Sequence, residues 1–209
     1  KSDISDNLCP YEEIPVGVET DKELRAAYRD MLNYVQDILV INDGPTLRSG
    51  RHRVIKNALL NATMFLDQPY GLDVVRRDNN RRIELSDKTI RNKEKKLIEI
   101  AKKHKENGEK MLIYVEYTNK LEIANRLQRL LEENGINAAC MDAKIKQNDR
   151  QKWLTDISND IDAVILNPSL VEVGLNLLEY TTIIFYEIGT KIMTIRQASQ
   201  RSNRINQTK

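Results

Sequence analysis

Near the end of the 209-residue chain, Gln197, Arg201 and Arg204 stand at positions i, i+4 and i+7. On a helix that spacing puts all three side chains on one face. Two guanidiniums and an amide pointing the same way form a fork for a polyanion. Arginine suits this better than lysine, because its planar donors grip phosphate oxygens in pairs. Spacing alone also fits two solvated arginines on an ordinary helix surface, and both readings stand at this point. Residues 190–209 hold Lys191, Arg196, Arg201, Arg204 and Lys209 with no acid. Such a stretch can draw in the phosphates of a nucleic acid or a nucleotide, or it can be a solvated face.

Other chemistries lack their residues. None of the eight glycines opens a G-x-x-x-x-G-K-[ST] loop, so this chain has no P-loop for a triphosphate. There is no H-E-x-x-H, and His52 and His104 lie far apart, outside the strand-end loops. Cys9 and Cys140 have no C-x-x-C spacing, so no zinc or redox site and no bound metal is expected. Two cysteines also cannot build a disulfide framework, which favours a reducing compartment. No apolar run approaches the ~18–20 residues of a membrane helix, so no membrane partner is expected. No charged-then-apolar leader is visible, and an intracellular place is expected, cytoplasmic or nucleoid-associated. The chain opens on Lys1, not Met, and reads as a piece of a longer protein. With 33 Lys+Arg against 31 Asp+Glu the net charge is +2. That balance hides a net of −5 over residues 1–50 and +5 over residues 51–100.

The elements that must position the fork follow from periodicity. Ile14, Val16 and Val18 alternate like a short strand. Thr20 to Glu23 fits a capping box with Thr20 as the cap. Leu24, Tyr28, Met31, Leu32, Val35 and Leu39 then follow at helical spacing. A second helix is expected from Arg51 to Asp67, broken at Gln68-Pro69-Tyr70-Gly71. Two such amphipathic faces need a core to bury against. The stretch to Ser86 is polar and basic, with Arg76, Arg77, Arg81 and Arg82, and reads as a loop. From Lys88 a basic helix runs to about Asn107 and stops at Gly108. Nine basic residues against four acidic ones between 88 and 110 could touch DNA or simply face solvent. Met111–Val115 reads as a buried strand, and a helix from Asn119 stops at Asn134-Gly135. Strands follow at Ile136–Met141, Asp162–Leu166 and Thr182–Tyr186. Helices are expected at Gln147–Ile157 and Ile192–Asn203. Strand and helix alternate, so the expected class is α/β: a parallel sheet covered by helices on both faces, after a small helical subdomain. The expected domains are 1–87, a helical lead-in with its connecting loop, and 88–209. In such sheets ligands sit at the carboxyl ends of the strands. The loops after Val115, Leu166 and Tyr186 are therefore the places to look.

Several segments, in order, resemble superfamily 2 helicases of the Swi/Snf-like family. Residues 197–207 resemble motif VI in the form Q-A-x-x-R-x-x-R-I-G-Q, with Asn206 in place of the Gly. Lys110–Thr118 resembles motif IV, a strand ending in an aromatic-Thr pair. Asp149-Arg150-Gln151-Lys152 resembles the family's E-R-x-x helix start. Asn167–Leu177 resembles motif V: Gly174, Asn176 and Leu177 match, Val171 and Glu172 replace a Gly pair, and Asn167 replaces a Ser or Thr. Ile14–Tyr28 and Leu60–Pro69 resemble the segments preceding the second motor lobe, with Gln68 replacing a His.

That resemblance implies a half-enzyme: the C-terminal, RecA-like lobe of an ATP-dependent helicase or translocase, of P-loop NTPase type but lacking the P-loop. ATP and magnesium would be held mainly by an N-terminal lobe outside this sequence. Arg201 and Arg204 would act catalytically on the γ-phosphate side, with Gln197, Gly174 and Asn176 at the nucleotide. Thr118, Asn167 and Ser169 would face the nucleic-acid backbone, with duplex DNA favoured and RNA possible. The other implied partner is the N-terminal lobe itself, and the fragment alone should not turn over ATP. The alternative from another class is a non-catalytic nucleic-acid- or protein-binding module from a degenerate motor.

Overall fold

The computed structural model describes residues 12–41, 49–70, 85–116, 123–171 and 175–188. They divide into two compact units, one of them Val18–Lys93 and the other taking up the chain from Glu94.

The first unit is helical. Helix α1 (Lys22–Ile41) and helix α2 (Ser49–Met64) carry apolar residues on facing sides. Leu24, Ala27, Met31 and Val35 pack against Ala58, Ala62 and Phe65, and the Tyr28 and Phe65 rings stack at 6.1 Å. The cap of α1 differs from the expectation. Asp21, not Thr20, accepts the Leu24 N–H at 2.9 Å, because the helix starts at Lys22 and only the residue before it reaches that donor. Arg91 is 4% exposed and sits against this end. It donates to Asp21 at 3.0 Å, Glu23 at 2.8 Å and the Tyr70 hydroxyl at 3.1 Å. Burial works against its charge, yet the hydrogen bonds to Glu23 and Tyr70 hold its pKa above the usual value. The alternation at Ile14, Val16 and Val18 does not make a strand. Residues 12–20 are not in any sheet, and Ile14 is 69% exposed. Alternation yields a strand only where another strand completes the hydrogen bonds.

The second unit is built on four parallel strands in the order β2-β3-β1-β4. They are β1 (Lys110–Tyr114), β2 (Ala138–Cys140), β3 (Ala163–Leu166) and β4 (Tyr180–Phe185). Helix α3 (Asn92–Glu106) precedes β1, α4 (Ile123–Glu133) joins β1 to β2, and α5 (Arg150–Ile157) joins β2 to β3. A single turn of 3-10 helix at Gln147–Asp149 leads into α5. The chain steps one way across the sheet from β1 to β2 and back again to β3. Right-handed crossovers then put α4 and α5 on opposite faces. The packing agrees. Leu112, Tyr114, Val164 and Leu166 cluster with Leu154 of α5. The alternate positions Met111, Ile113, Ala163 and Ile165 face the other way, the side that receives α4. Residues 111–115 are all 0% exposed, as a strand buried on both faces must be.

Two glycines end helices by the same device. Gly108 has φ +71° and Gly135 has φ +78°, values that cost other L-residues strain. At each, the glycine N–H and the next N–H fold back onto carbonyls of the last turn. Gly108 donates to Lys105 and Glu109 to His104, while Gly135 donates to Glu132 and Ile136 to Leu131. Ile136 and Leu131, both fully buried, supply the apolar contact of the second stop. The expected helix Ile192–Asn203 and the arginine-rich loop before Ser86 lie outside the described residues.

Candidate nucleotide and nucleic-acid edge

The carboxyl ends of β3, β1 and β4 meet on one residue, Glu116. The regular ladder stops at Tyr114, which pairs with Leu166 on one side and Phe185 on the other. Two residues later, Glu116 has its N–H and C=O turned to opposite neighbours. Its N–H donates to Oε2 of Glu187 at 2.8 Å, and its carbonyl accepts from Nδ2 of Asn167 at 2.7 Å. The N–H groups of Tyr186 and Glu187 both reach the Tyr114 carbonyl, at 3.0 and 3.2 Å. Side chains from β3 and β4 therefore continue the hydrogen bonding after the strands have parted. Glu187 is 1% exposed, so its carboxylate needs such partners to be tolerated.

Asn167 shapes the next turn as well. Its Oδ1 accepts from the Ser169 N–H at 2.9 Å and the Ser169 hydroxyl at 2.6 Å. This is an Asx turn, the reason Asn before Pro-Ser favours a bend at a strand end. Ser169 is exposed on a short 3-10 segment, Pro168–Val171. Arg150, at the start of α5, ties this segment to the loop after β2. It donates to the Leu170 carbonyl at 2.9 Å and the Ile145 carbonyl at 3.2 Å.

Of the residues singled out in the sequence, the structure brings Asn167 and Ser169 together. Asn176 is exposed. Its N–H donates to Gln151 Oε1 of α5 at 2.7 Å, and its Oδ1 accepts the Leu178 N–H at 3.2 Å. A depression of about 100 Å³ beside it, floored by Tyr180, is below the ~300 Å³ of ordinary ligand pockets. Thr118, Gly174, Gln197, Arg201 and Arg204 lie outside the described residues. Among the described residues no group of three or more His, Cys, Asp or Glu could hold a metal ion. No described helix is long and apolar enough to cross a membrane.

The basic stretch 88–110 is largely tied within the chain. Lys93 pairs with Asp67, and Lys96 with Glu99 at 2.6 Å. Lys102 donates to Asn134 at 3.1 Å, and Lys110 pairs with Glu179 at 2.8 Å. Lys105 reaches Asp162 at 2.7 Å and the Gly135 carbonyl at 2.8 Å. Lys105 and Lys110 hold the amino edge of the sheet, the opposite side from Glu116 and Ser169. These contacts favour the structural reading of that helix over a DNA-binding one.

Glu187, Glu116 and Arg150, none of them singled out as a site in the sequence, support the backbone beside this edge. An acid directly after the apolar run Ile183–Tyr186 was the available signal for Glu187.

Residues 92–206 match the family model described as helicase conserved C-terminal domain. No curated protein matches the chain. Among solved structures it is similar to the C-terminal part of the Fun30 ATPase domain. The TM-score is 0.70 at 16% identity, covering 97% of this chain and 83% of that one. It is also similar to the Sulfolobus solfataricus SWI2/SNF2 ATPase C-terminal domain. There the TM-score is 0.56 at 15% identity, covering 79% of this chain and 67% of that one. At these identities the likeness is one of fold, the RecA-like parallel sheet described above.

Proposed function

We propose that this chain, which belongs to the helicase conserved C-terminal domain family, is the second lobe of an ATP-dependent nucleic-acid translocase of Swi/Snf-like type. The observation that carries the reading is the reach of the family match. It runs over 92–206 and so includes Gln197, Arg201 and Arg204. In this reading ATP and magnesium are held mainly by a preceding lobe, which supplies the P-loop this sequence lacks. Arg201 and Arg204 approach the γ-phosphate when the two lobes close, with Gln197, Gly174 and Asn176 nearby. Phosphoryl transfer spreads charge over the γ-phosphate oxygens, and an arginine donated from another lobe is worth ~10³–10⁵ in rate. Hydrolysis then depends on closure, and closure moves the bound strand.

The nucleic-acid track runs along the carboxyl edge, over Thr118 and the Asn167–Ser169 turn. Short polar groups and backbone amides there hold phosphates without reading bases. Duplex DNA is the favoured substrate, and the protein works inside the cell, in the cytoplasm or on the nucleoid. The turn at 167–171 supports this reading, since it offers Ser169 to solvent on a rigid base.

The test is ATP turnover by the full-length protein with duplex DNA, single strands and RNA. Arg201→Ala and Arg204→Ala should each lower kcat by at least ~10², with nucleotide affinity changed much less. Lysine should not rescue, because a point charge lacks the planar fork. Wild-type turnover in a folded double mutant refutes the assignment and favours a non-catalytic binding module.

A further inference from the structure

We infer that Glu187 is a positioning residue for the nucleic-acid edge: its buried carboxylate, opposed by the Asn167 amide, fixes the backbone of Glu116 against which the Asn167–Ser169 turn is held. The inference rests on the function proposed above, since it concerns how that edge is held.

Glu116 lacks the backbone partners of a strand residue. Inside a parallel sheet a residue gives its N–H and C=O to neighbouring backbone. Past Val115, whose N–H still reaches the Leu166 carbonyl at 3.1 Å, the ladder offers none, because β3 ends at Leu166 and β4 at Phe185. A backbone group left partly buried without a partner is costly, so side chains take the place of the missing strands. Glu187 stands where a β4 carbonyl would be, while the Glu116 C=O, which regular pleating would turn to the same side as its N–H, is drawn to Asn167 on the β3 side.

The two holds act in opposite directions, so the N–H and C=O of Glu116 are fixed relative to each other. The rotation of the chain at Glu116 is thereby fixed too. The Glu116 carbonyl so placed holds the Asn167 amide, and Asn167 holds Ser169, the exposed residue assigned to the nucleic acid. Glu187 touches neither nucleotide nor strand in this account. It acts through Glu116.

Glu187 also precedes the segment of Gln197, Arg201 and Arg204 by ten residues in sequence.

Three variants of the full-length protein test this. Glu187→Gln keeps an acceptor oxygen of the same reach. Glu187→Met keeps the volume and removes the acceptor. Glu187→Asp keeps the charge one methylene short. Two quantities are read: the duplex DNA concentration for half-maximal ATPase stimulation, and hydrogen exchange at the Glu116 amide by mass spectrometry. Glu187→Gln should stay within about threefold of wild type in both. Glu187→Met should raise the half-maximal DNA concentration about tenfold and speed Glu116 exchange about tenfold. Its turnover without DNA should stay within about twofold of wild type. Glu187→Asp should fall between. If Glu187→Met fails to fold, Glu187→Asp supplies the same contrast against Gln. Wild-type DNA dependence in Glu187→Met, or equal loss in Gln and Met, overturns the inference. Loss of DNA-free turnover in step with stimulation overturns it as well. If wild-type turnover ignores every nucleic acid, the proposed function fails. The clamp itself is then still decided by the exchange rates of the Gln and Met variants.

Discussion

Replacing Asn167 with Asp changes one NH₂ group to an oxygen and almost nothing in shape. In the structure that group donates to the Glu116 carbonyl at 2.7 Å, while Oδ1 accepts twice from Ser169. In the Asp variant both Ser169 bonds survive and become charge-assisted, roughly twice as strong. The Glu116 contact turns into two acceptors facing each other. Leaving a partly buried carbonyl unsatisfied costs ~1–3 kcal/mol, and the repulsion adds to it. Asn167→Ala loses all three bonds, but Ser169 is exposed and water replaces two of them. Its cost should be that of the unsatisfied Glu116 carbonyl alone, ~1–3 kcal/mol, without the repulsion. The expected order is therefore Asp worse than Ala, by about 1 kcal/mol at pH 7. Trp153 is the chain's single tryptophan and packs against the core of the sheet unit, so its fluorescence reports that unit alone. Urea unfolding followed at Trp153 measures both variants. The Asp variant should also recover on acidification. Its carboxyl is better tolerated protonated, when it can donate to Glu116, so its folded pKa lies above the unfolded ~3.9. Stability relative to wild type then rises as pH falls through the folded value. An Asp variant as stable as Ala at pH 7, or one that weakens further in acid, refutes the reasoning.

Three further outcomes follow from the same geometry. Gly135→Ala meets no atom within 4 Å, so only backbone strain at φ +78° opposes it. That strain is ~1–2 kcal/mol and the stiffer unfolded chain returns ~0.4–1, leaving a net loss of about 1 kcal/mol in the same urea titration; a stabilised variant would contradict the left-handed stop. The Cys140 thiol is pushed up to about 12 by burial and then by Glu132. In a Cys9→Ser background, iodoacetamide should therefore label Cys140 at pH 8 at least ~10²-fold slower than a free thiol of pKa ~8.5, and the rate should keep rising above pH 9. Since the fold favours the neutral thiol, this group withdraws stability as pH climbs from about 9 toward 12, and labelling at a free-thiol rate would refute the shift. Arg150→Lys can satisfy the Leu170 or the Ile145 carbonyl but not both, so it should cost about 1–2 kcal/mol, and wild-type stability in it would count against Arg150 as the tie between those loops.

What could be read from the sequence was local. Gly108 and Gly135 mark helix ends because positive φ is a property of the residue itself. The strands at 111–115 and 163–166 announce themselves by unbroken apolar runs, which only a doubly covered sheet rewards. Ile14, Val16 and Val18 misled because a strand is a relation between two segments and alternation describes only one. Thr20 fits the box pattern as well as any cap because that pattern does not fix the helix start to one residue, and Asp21 has the same chemistry one place later. The hold on Glu116 was not legible at all. It joins residues 51 and 71 positions apart, and each of them looks like a turn or surface residue in isolation. Asn167 and Ser169 are singled out by the resemblance to motif V, which says nothing of how Asn167 divides its bonds between Ser169 and Glu116.

The central place of β1 bears on how the chain is made. Its neighbours are β3 and β4, whose pairing residues are synthesised about fifty and about seventy residues later: Met111 pairs with Ala163, and Leu112 with Ile183. Elongation at ~5–20 residues per second separates Leu112 from Ile183 by about 4–14 s. Until β3 appears this strand has both edges open, and until β4 appears it has one. Helices α3 and α4 can form early and cover one face, but they cannot supply strand pairing. The nascent chain is therefore most prone to aggregate between the appearance of β1 and that of β4, and a ribosomal pause placed before β4 would lengthen the hazard.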